Sequence, residues 1–289
     1  MGILYLVATP IGNLEDISAR ALRVLREVNL IAAEDTRKTR KLLSHFDIHV
    51  PLTSYFEHNK RSKLEHVMAA LEQGDVALVS DAGTPALNDP GYELVRAALQ
   101  AGYTVSPIPG ACAPVAALVA SGLPTDAFLY LGYLPRQPGE RLRALQQVAQ
   151  LPYTLIFLET PHRLPESIID LEAVLGNRQM AVARELTKLF EEITRGSISE
   201  IRNYYEDHPL QGEFTLVVAG HSVEKETWSE DRLYTTIREA IAQSEPPART
   251  ASRIAAESGW PRRKVYSLYT ELRSGDILPD ARDRNHRKT

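Results

Sequence analysis

Short runs of apolar residues alternate along this chain with longer stretches in which apolar positions recur every three to four residues. The short runs are rich in β-branched residues and predict strands. In one longer stretch, Leu64, Val67, Met68 and Leu71 fall on one face of a helix. Strands separated by helices are typical of mostly parallel sheets covered on both faces, which indicates an α/β fold. The predicted strands are 4–8, 30–34, 76–80, 104–108, 128–133, 154–159, 180–185 and 214–220.

Two interruptions of this pattern divide the chain. The segment YLPRQPG (133–139) contains two prolines and a glycine and predicts a linker between two αβ halves. A polar stretch without periodicity lies near 221–229. We therefore expect one αβ domain at 1–122, a second at 123–224 and a small helical module at 230–289.

The last module has the pattern of a helix, a turn at Gly259 and a second helix, which suits a helix-turn-helix. The whole chain has a formal net charge of −4, yet from Pro246 onward ten lysines and arginines stand against five acidic residues. A basic end on an acidic body favours nucleic-acid binding. A plain helical hairpin with a solvated surface is the alternative.

The composition is that of an ordinary globular protein, with 44% hydrophobic and 24% charged residues in 289. Cys112 is the single cysteine, so an internal disulfide is impossible and a cytoplasmic location is expected. The longest apolar tract, around 111–123, is too short to span a bilayer.

Unusual residues follow six of the predicted strands, where ligands collect in open α/β sheets. The sequence contains no phosphate-binding G-x-x-x-x-G-K-[ST] loop, no G-x-G-x-x-G dinucleotide loop, no H-E-x-x-H and no G-x-S-x-G. The common nucleotide sites, zinc proteases and α/β-hydrolases are therefore not indicated. The six strand-end motifs are TPIGN (9–13), AAEDTR (32–37), SDAGTP (80–85), PIPGACAP (107–114), LETPHR (158–163) and RELTK (184–188).

Together these motifs resemble the tetrapyrrole (corrin and porphyrin) methylase superfamily over about residues 3–220. The combination of TPIGNLEDIS, AAEDTR and SDAGTP is most similar to the branch that methylates a cytidine ribose 2′-hydroxyl in the decoding region of bacterial 16S rRNA. The resemblance implies two αβ domains with an S-adenosylmethionine cleft between them. It also implies 16S rRNA within the 30S subunit as partner, a homodimer, and no need for a metal or a membrane.

Matching positions in the motifs imply where the cofactor binds. The turn TPIGN (9–13), called the first turn below, contributes a proline. The SDAGTP loop contributes most of the contacts from the first domain, and the second domain closes the cleft. A nucleophilic role for Cys112 is the alternative to a structural one at its strand-to-helix turn. The implied cofactor residues are Pro10, Asp81, Ala82, Gly83, Thr84, Leu87, Cys112, Ala113, Glu159, Leu186 and Thr187.

A ribose hydroxyl is a poor nucleophile, so a base or a polarising group would assist methyl transfer. The candidates near the cleft are Asp35, Glu34, Glu185 and Lys188. Members of the superfamily often have an acidic residue after the second strand, which favours Glu34 or Asp35. An ion pair between Asp35 and Lys188 across the cleft is the structural alternative.

Basic residues near the cleft and in the helical module are the candidates for phosphate contacts with RNA. Tyr55 and Phe56 are candidates for stacking on a splayed base. A small tetrapyrrole as substrate, or a regulator that senses a ligand and binds nucleic acid, are the competing functions. The candidate RNA-binding residues are Arg37, Arg40, Lys41, His58, Lys60, Arg61, Arg262, Arg263 and Lys264.

Overall fold

The chain divides into two compact units, Met1–His221 and Ser222–Thr289. The computed structural model describes residues 2–56, 60–222 and 228–274, without the side chains of 60–62. In its described part, the first unit holds two five-stranded sheets and the second holds three helices. This arrangement confirms the predicted α/β class with a helical C-terminal module.

The first sheet is entirely parallel, with strand order β3-β2-β4-β1-β5. Alternate residues of each strand face opposite sides, so two separate apolar clusters cover its two faces. Helices α1 and α2 pack on one face and α3 and α4 on the other. The strands are β1 (Ile3–Val7), β2 (Leu30–Ala33), β3 (Leu52–Ser54), β4 (Val76–Val79) and β5 (Thr104–Ile108), and the helices are α1 (Ala19–Glu27), α2 (Thr36–His45), α3 (Lys60–Gln73) and α4 (Tyr92–Gln100).

The second sheet is mixed, with strand order β6-β7-β10-β8-β9. Only β6 and β7 run parallel, and the other neighbouring pairs run antiparallel. Strand β9 completes a direct hairpin with β8, which needs no crossover helix. The elements are α5 (Ala113–Ser121), β6 (Phe128–Tyr133), α6 (Pro138–Val148), β7 (Thr154–Glu159), α7 (Leu164–Leu175), β8 (Gln179–Arg184), β9 (Glu192–Ser197), α8 (Ile198–Glu206) and β10 (Phe214–Val218).

Helix α5 connects the two sheets and packs on the second one. Its Ala117 and Leu118 lie against Ile156, Ala181 and Val217. Helices α6, α7 and α8 cover the opposite face of that sheet. The division of the αβ region at residue 122 stays a prediction, since both sheets belong to one compact unit.

The linker predicted at 133–139 is wrong. Strand β6 already belongs to the second sheet, and the segment joins β6 to α6 on that sheet. Its prolines suit a connection that ends a strand and starts a helix, because Pro138 occupies the first turn of α6. The guanidinium of Arg163 donates to the carbonyl oxygen of Leu134 and fixes this connection.

The helix, turn and helix of the sequence pattern are present in the second unit, as is usual both for a helix-turn-helix and for a plain helical hairpin. In its described part the unit consists of α9 (Glu230–Ala242), α10 (Pro247–Ser258) and α11 (Arg262–Ser274). Gly259 ends α10 in the left-handed conformation, with φ of 71°, which glycine adopts without steric cost. Apolar residues of the three helices meet in one core that includes Ile254 and Val265.

Across the ranges that the structure describes, no helix is long and apolar enough to cross a membrane.

Candidate active site between the two sheets

Backbone hydrogen bonds join the first turn to the SDAGTP loop at the carboxyl ends of β1 and β4. The backbone N–H of Thr9 donates to the carbonyl of Gly83 at 2.9 Å, and that of Gly83 donates back at 3.0 Å. Gly83 has a φ of +84°, which a residue with a side chain rarely adopts. The Thr84 hydroxyl adds a 3.2 Å hydrogen bond to the carbonyl of Ala111. Three strand-end motifs therefore form one continuous wall.

A cavity of about 360 Å³ lies beside this wall, and both sheets contribute to it. Its lining includes every predicted cofactor residue except Pro10, Leu186 and Thr187. The neighbouring Ile11 represents the first turn instead of Pro10. The lining residues are Ile11, Glu34, Asp81, Ala82, Gly83, Thr84, Leu87, Asn88, Asp89, Cys112, Ala113, Pro114, Tyr130, Tyr133, Leu158, Glu159, Glu213, Phe214 and Thr215.

Carboxylates join the ends of β2 and β4 at the cavity. Glu34 accepts a hydrogen bond from the backbone N–H of Asp81 at 3.2 Å. Asp81 accepts from the backbone N–H of Asp35 at 2.9 Å and from the ammonium of Lys38 at 2.8 Å. Burial raises the pKa of Glu34 above its ordinary value. Asp81 thus accepts from the backbone of Asp35 and from Lys38, and Glu34 binds a proton more tightly than an ordinary glutamate does.

Asp35 is the leading candidate for catalysis from the sequence, but its side chain is already hydrogen-bonded to the first turn of α2. Its side chain caps α2 by accepting from the backbone N–H of Arg37 at 2.9 Å. The Arg37 guanidinium also donates to both carboxylate oxygens, at 3.0 and 2.7 Å. The hydrogen bonds from Arg37 hold the pKa of Asp35 far below its ordinary value. The structure therefore makes Asp35 a weak proton acceptor and a helix-capping residue.

Glu185 and Lys188 bind each other on the second sheet's side of the cleft. The Lys188 ammonium donates to Glu185 at 2.8 Å and to Glu213 at 3.2 Å. The hydrogen bond from Lys188 lowers the pKa of Glu185. The alternative ion pair between Asp35 and Lys188 is wrong, because each side chain pairs with a residue close to it in sequence.

The loop that carries Lys188 also packs on the first turn. A Cβ atom on Gly12 would lie 2.4 Å from Cγ of Lys188 and 2.9 Å from the hydroxyl of Thr187. Thr187 has a φ of +65°, which is costly for a β-branched residue and is typical of functional loops. Its hydroxyl is buried without a hydrogen-bond partner in the described part of the chain. Thr187 and Leu186 thus border the first turn from the second sheet's side.

Glu159 lines the cavity but has its partners within the second sheet's own elements. One carboxylate oxygen accepts from the Ser167 hydroxyl at 2.6 Å, and the other accepts from the Thr160 backbone N–H at 2.8 Å. The Arg163 guanidinium lies 3.4 Å away. With 2% exposure, Glu159 is a buried, satisfied carboxylate that shapes the cavity floor.

The candidate RNA-binding residues fall into three groups. On α2, Arg40 and Lys41 are exposed, whereas Arg37 is paired with Asp35. At the start of α3, Lys60 and Arg61 are described by their backbone alone, and His58 lies outside the described residues. Tyr55 as a stacking residue is wrong, because its side chain is fully buried in the first sheet's core.

In the helical unit, the three candidates at the start of α11 differ. Arg262 and Arg263 are exposed. The Lys264 ammonium lies 4.3 Å from the centre of the Trp260 ring, at cation–π distance. Trp260 in turn donates to the carbonyl of Trp228 at 2.8 Å. Lys264 therefore packs on a tryptophan of the turn, whereas Arg262 and Arg263 are exposed cations beside it.

Several cavity residues that the fold brings together were missed by sequence reasoning, and four of them are polar residues from two separate segments. Asn88 and Asp89 lie in the loop before α4, and Tyr130 and Tyr133 lie on β6. The NDPG stretch at 88–91 and the two tyrosines of FLYLGY were visible signals. Neither indicates a site alone, because turns and strand tyrosines are common. Within the described ranges, no three His, Cys, Asp or Glu side chains are arranged to hold a metal ion.

Comparisons with known proteins agree with this architecture. A family profile described as Tetrapyrrole (Corrin/Porphyrin) Methylases matches residues 3–202. The ribosomal RNA small subunit methyltransferase I of Halalkalibacterium halodurans is 47% identical over 273 residues, covering 93% of this chain and 94% of that protein. The protein of the same name from Synechocystis is 46% identical over 275 residues, covering 94% and 99%. This chain therefore belongs to the tetrapyrrole (corrin/porphyrin) methylase family.

A solved structure confirms the fold. The crystal structure of uroporphyrin-III-C-methyltransferase from Thermus thermophilus superposes with a TM-score of 0.52, covering 76% of this chain and 94% of that one. At 22% sequence identity, this likeness concerns the fold alone.

Proposed function

We propose that this chain is an S-adenosylmethionine-dependent methyltransferase that modifies the 2′-hydroxyl of a cytidine ribose in the decoding region of 16S rRNA. The main support is a sequence identity of 47%, over nearly the full length, with a protein named ribosomal RNA small subunit methyltransferase I. The cavity at the strand ends is the place where this fold class holds ligands. We further propose that the enzyme works in the cytoplasm as a homodimer.

The cavity fits the cofactor chemically. When bound, S-adenosylmethionine supplies an electrophilic methyl group on a positively charged sulfonium. Glu34, Asp81 and Asp89 surround the cavity with carboxylates, which attract such a cation in a partly dehydrated site. Ala82 and Gly83 leave the backbone open for close approach of the adenosine and methionine parts.

One buried group beside the first turn also offers unused hydrogen-bonding capacity. The buried hydroxyl of Thr187 has no partner within the part of the chain that the structure describes. A buried hydroxyl without a partner costs about 1–3 kcal/mol, and a bound polar ligand would remove this cost. Glu159 is the predicted cofactor residue that fits least, because its carboxylate is already satisfied by Ser167 and Thr160.

The charge distribution supports an RNA substrate. Arg40 and Lys41 on α2 are exposed near the end of β2, and Arg262 and Arg263 are exposed in the helical unit. Phosphate contacts supply much of the affinity for nucleic acid. A methylase of small tetrapyrroles would not need the basic helical unit, and a ligand-sensing regulator would not need carboxylates at the cavity.

Methyl transfer to isolated substrates tests the proposal. The chain would be incubated with radiolabelled S-adenosylmethionine and either 30S subunits or uroporphyrinogen. We expect label in 16S rRNA, recovered as 2′-O-methylcytidine after nuclease digestion and mass spectrometry. Label in the tetrapyrrole alone would contradict the RNA substrate, and label in neither, with cofactor binding shown by calorimetry, would favour the regulator.

A further inference from the structure

The loop between β4 and α4 has an unusual backbone around Asp89. Ala86 and Asn88 have φ values of 65° and 64°, and Gly91 has 152°. Non-glycine residues in this region cost free energy and persist where the surrounding structure enforces them. The strained loop brings Asp89 to the cavity, beside the ends of β2 and β4. Such strain at a cavity wall indicates a function for the residue that it positions.

Asn88 fixes this loop to the second sheet. Its side chain lies so close to Gly132 of β6 that a Cβ atom there would be 2.3 Å from the amide nitrogen. Gly132 has a φ of +65°, and the pairing of β6 with β7 shifts register between Tyr130 and Gly132. The irregularity in β6 thus creates the space into which Asn88 fits. Asp89 is thereby held between the two sheets.

Most carboxylates that line the cavity already have a fixed partner. Asp81 pairs with Lys38, Glu213 with Lys188, and Glu159 with Ser167 and nearby Arg163. Among the described residues, Asp89 has no ion-pair partner, and the nearby carboxylates of Glu34 and Asp81 disfavour its negative charge.

The groups that face Asp89 come from both sheets. Glu34 and Asp81 add negative charge from the first sheet, the Ser80 hydroxyl donates a hydrogen bond, and the electrostatic neighbours on β6 are Tyr130 and Tyr133. Burial first, then the charge of Glu34, raises the pKa of Asp89 to about 6. A carboxylate with this pKa is ionised at neutral pH and is a stronger base than an ordinary aspartate.

We propose that Asp89 is the catalytic residue that accepts the proton of the substrate hydroxyl, and that Asn88 is the positioning residue that holds it between the sheets. This inference rests on the proposed methyl transfer. The hydroxyl oxygen bonds to the methyl carbon while the carbon–sulfur bond breaks and leaves its electron pair on sulfur. The O–H bond breaks, and its proton passes to a carboxylate oxygen of Asp89, which later releases it to water.

The decisive experiment compares Asp89→Asn with wild type and with Asp126→Asn, an exposed aspartate outside the cavity. Single-turnover methylation of 30S subunits would be measured from pH 5 to 9, and cofactor affinity by calorimetry. For wild type and the control, we expect the rate to fall tenfold per pH unit below about pH 6. This fall is the acid limb of the profile of rate against pH. For Asp89→Asn, we expect a rate at least about a hundredfold lower at pH 7.5, without this acid limb and with nearly unchanged cofactor affinity.

A rate for Asp89→Asn close to wild type, with the same acid limb, would overturn the inference and leave the proposed function intact. Wild type that binds the cofactor but does not methylate 30S subunits would overturn the proposed function and this inference with it. Carboxyl NMR of the full chain gives a readout without turnover. We expect one resonance that titrates near pH 6 and that Asp89→Asn removes; its persistence in the variant would contradict the assignment.

Asn88→Gly tests the positioning role. Glycine tolerates the positive φ, so this variant removes the contact with Gly132 without adding backbone strain. We expect a rate about tenfold lower, nearly unchanged cofactor affinity, and an acid limb moved to lower pH, because a loosened Asp89 becomes better hydrated. A merely structural role would leave the midpoint of the acid limb in place, and that result would contradict the positioning role.

Discussion

Asp35 and Asp89 are both aspartates near the ends of parallel strands, yet their surroundings give them opposite acid–base properties. Arg37 donates to Asp35 and lowers its pKa, whereas burial and Glu34 raise the pKa of Asp89 to about 6. The residue type alone does not distinguish the two. Asp35 lies beside a cation, Arg37, that is close to it in sequence, whereas the loop before α4 turns Asp89 into the cavity.

The raised pKa of Asp89 also predicts a pH-dependent cost in stability. The folded chain binds this proton more tightly than the unfolded chain, so stability is lost as the pH rises from about 4 to about 6. We expect Asp89→Asn to raise the free energy of unfolding by about 1 kcal/mol at pH 7.5, after allowance for solvent screening. Most of this gain should vanish at pH 4. Denaturant unfolding across this pH range measures it, and an equal gain at every pH would contradict the assigned cause.

Gly83 provides a second prediction for a single residue. A Cβ atom there would lie 3.3 Å from Ile11, and the φ of +84° disfavours any side chain. We expect Gly83→Val to lose about 1–2 kcal/mol of stability from backbone strain and at least tenfold in cofactor affinity. Gly122→Val is the matched control, because Gly122 has a φ of +80° with nothing within 4 Å and lies outside the cavity lining. Calorimetry should show normal affinity for the control, and equal losses for both variants would mean that Gly83 is not at the cofactor.

At the scale of elements, the helix-turn-helix depends on a core that all three helices of its unit share. Leu233 and Ile237 of α9 pack with Ile254 of α10 and with Val265 and Leu268 of α11. Removing α10 and α11 would expose the apolar face of α9. A deletion that separates the two units therefore needs to begin near 222 and not near 246.

Ile254→Ala tests this shared core. Ile254 is fully buried, and its truncation should cost about 2–5 kcal/mol, a large share of what a three-helix unit can supply. We expect the helical unit to unfold at a lower temperature while the cofactor affinity of the first unit stays normal, since every cavity residue lies before 222. Tyr266→Ala, at a position that is 45% exposed on α11, is the control. Calorimetric melting and cofactor titration measure both effects, and a loss of cofactor affinity in Ile254→Ala would show that the units are coupled.

At the scale of the whole molecule, the formal net charge of −4 conceals a basic stretch from Pro246 onward. An acidic body alone would repel a polyanion, so under the proposed function we expect the exposed cations to direct the encounter with RNA. Arg253 is neutralised by Glu245 at 2.7 Å and Lys264 lies over Trp260. Arg262 and Arg263 then remain as exposed cations at the start of α11.

Replacing Arg262 and Arg263 with glutamine should weaken 30S binding and its salt dependence. Each lost phosphate contact lowers the slope of log affinity against log salt by about 0.7–0.9, so we expect a reduction of about 1.5 for the double variant. Arg253→Gln serves as control, because its charge is already paired. Filter binding at several salt concentrations measures the slopes. An unchanged slope for the double variant would assign RNA capture to other residues, beginning with Arg40 and Lys41.

The sequence by itself determined the elements and the class of fold. The predicted strands 104–108, 128–133 and 154–159 coincide with β5, β6 and β7, because a short run rich in apolar and β-branched residues is a local signal in the sequence. The predicted helix, turn and helix of the C-terminal module also formed, with Gly259 at the turn. Strands β3 and β9 were missed, since β3 has three residues and β9 lacks an apolar pattern. The strand-end motifs indicated the edge of the first sheet at which the cavity lies.

Only the tertiary structure decided which residues meet. The antiparallel pairing of β10 with β7 and β8, the packing of α5 on the second sheet and the burial of Tyr55 depend on contacts between distant segments. The same is true of Asp89, which depends on the fit of Asn88 against Gly132, 44 positions further along the chain. Local periodicity records which face of a strand is buried, but not its partner or its direction. The raised pKa of Asp89 follows from burial and from the charge of Glu34, and neither can be read from the residues next to Asp89 in the sequence.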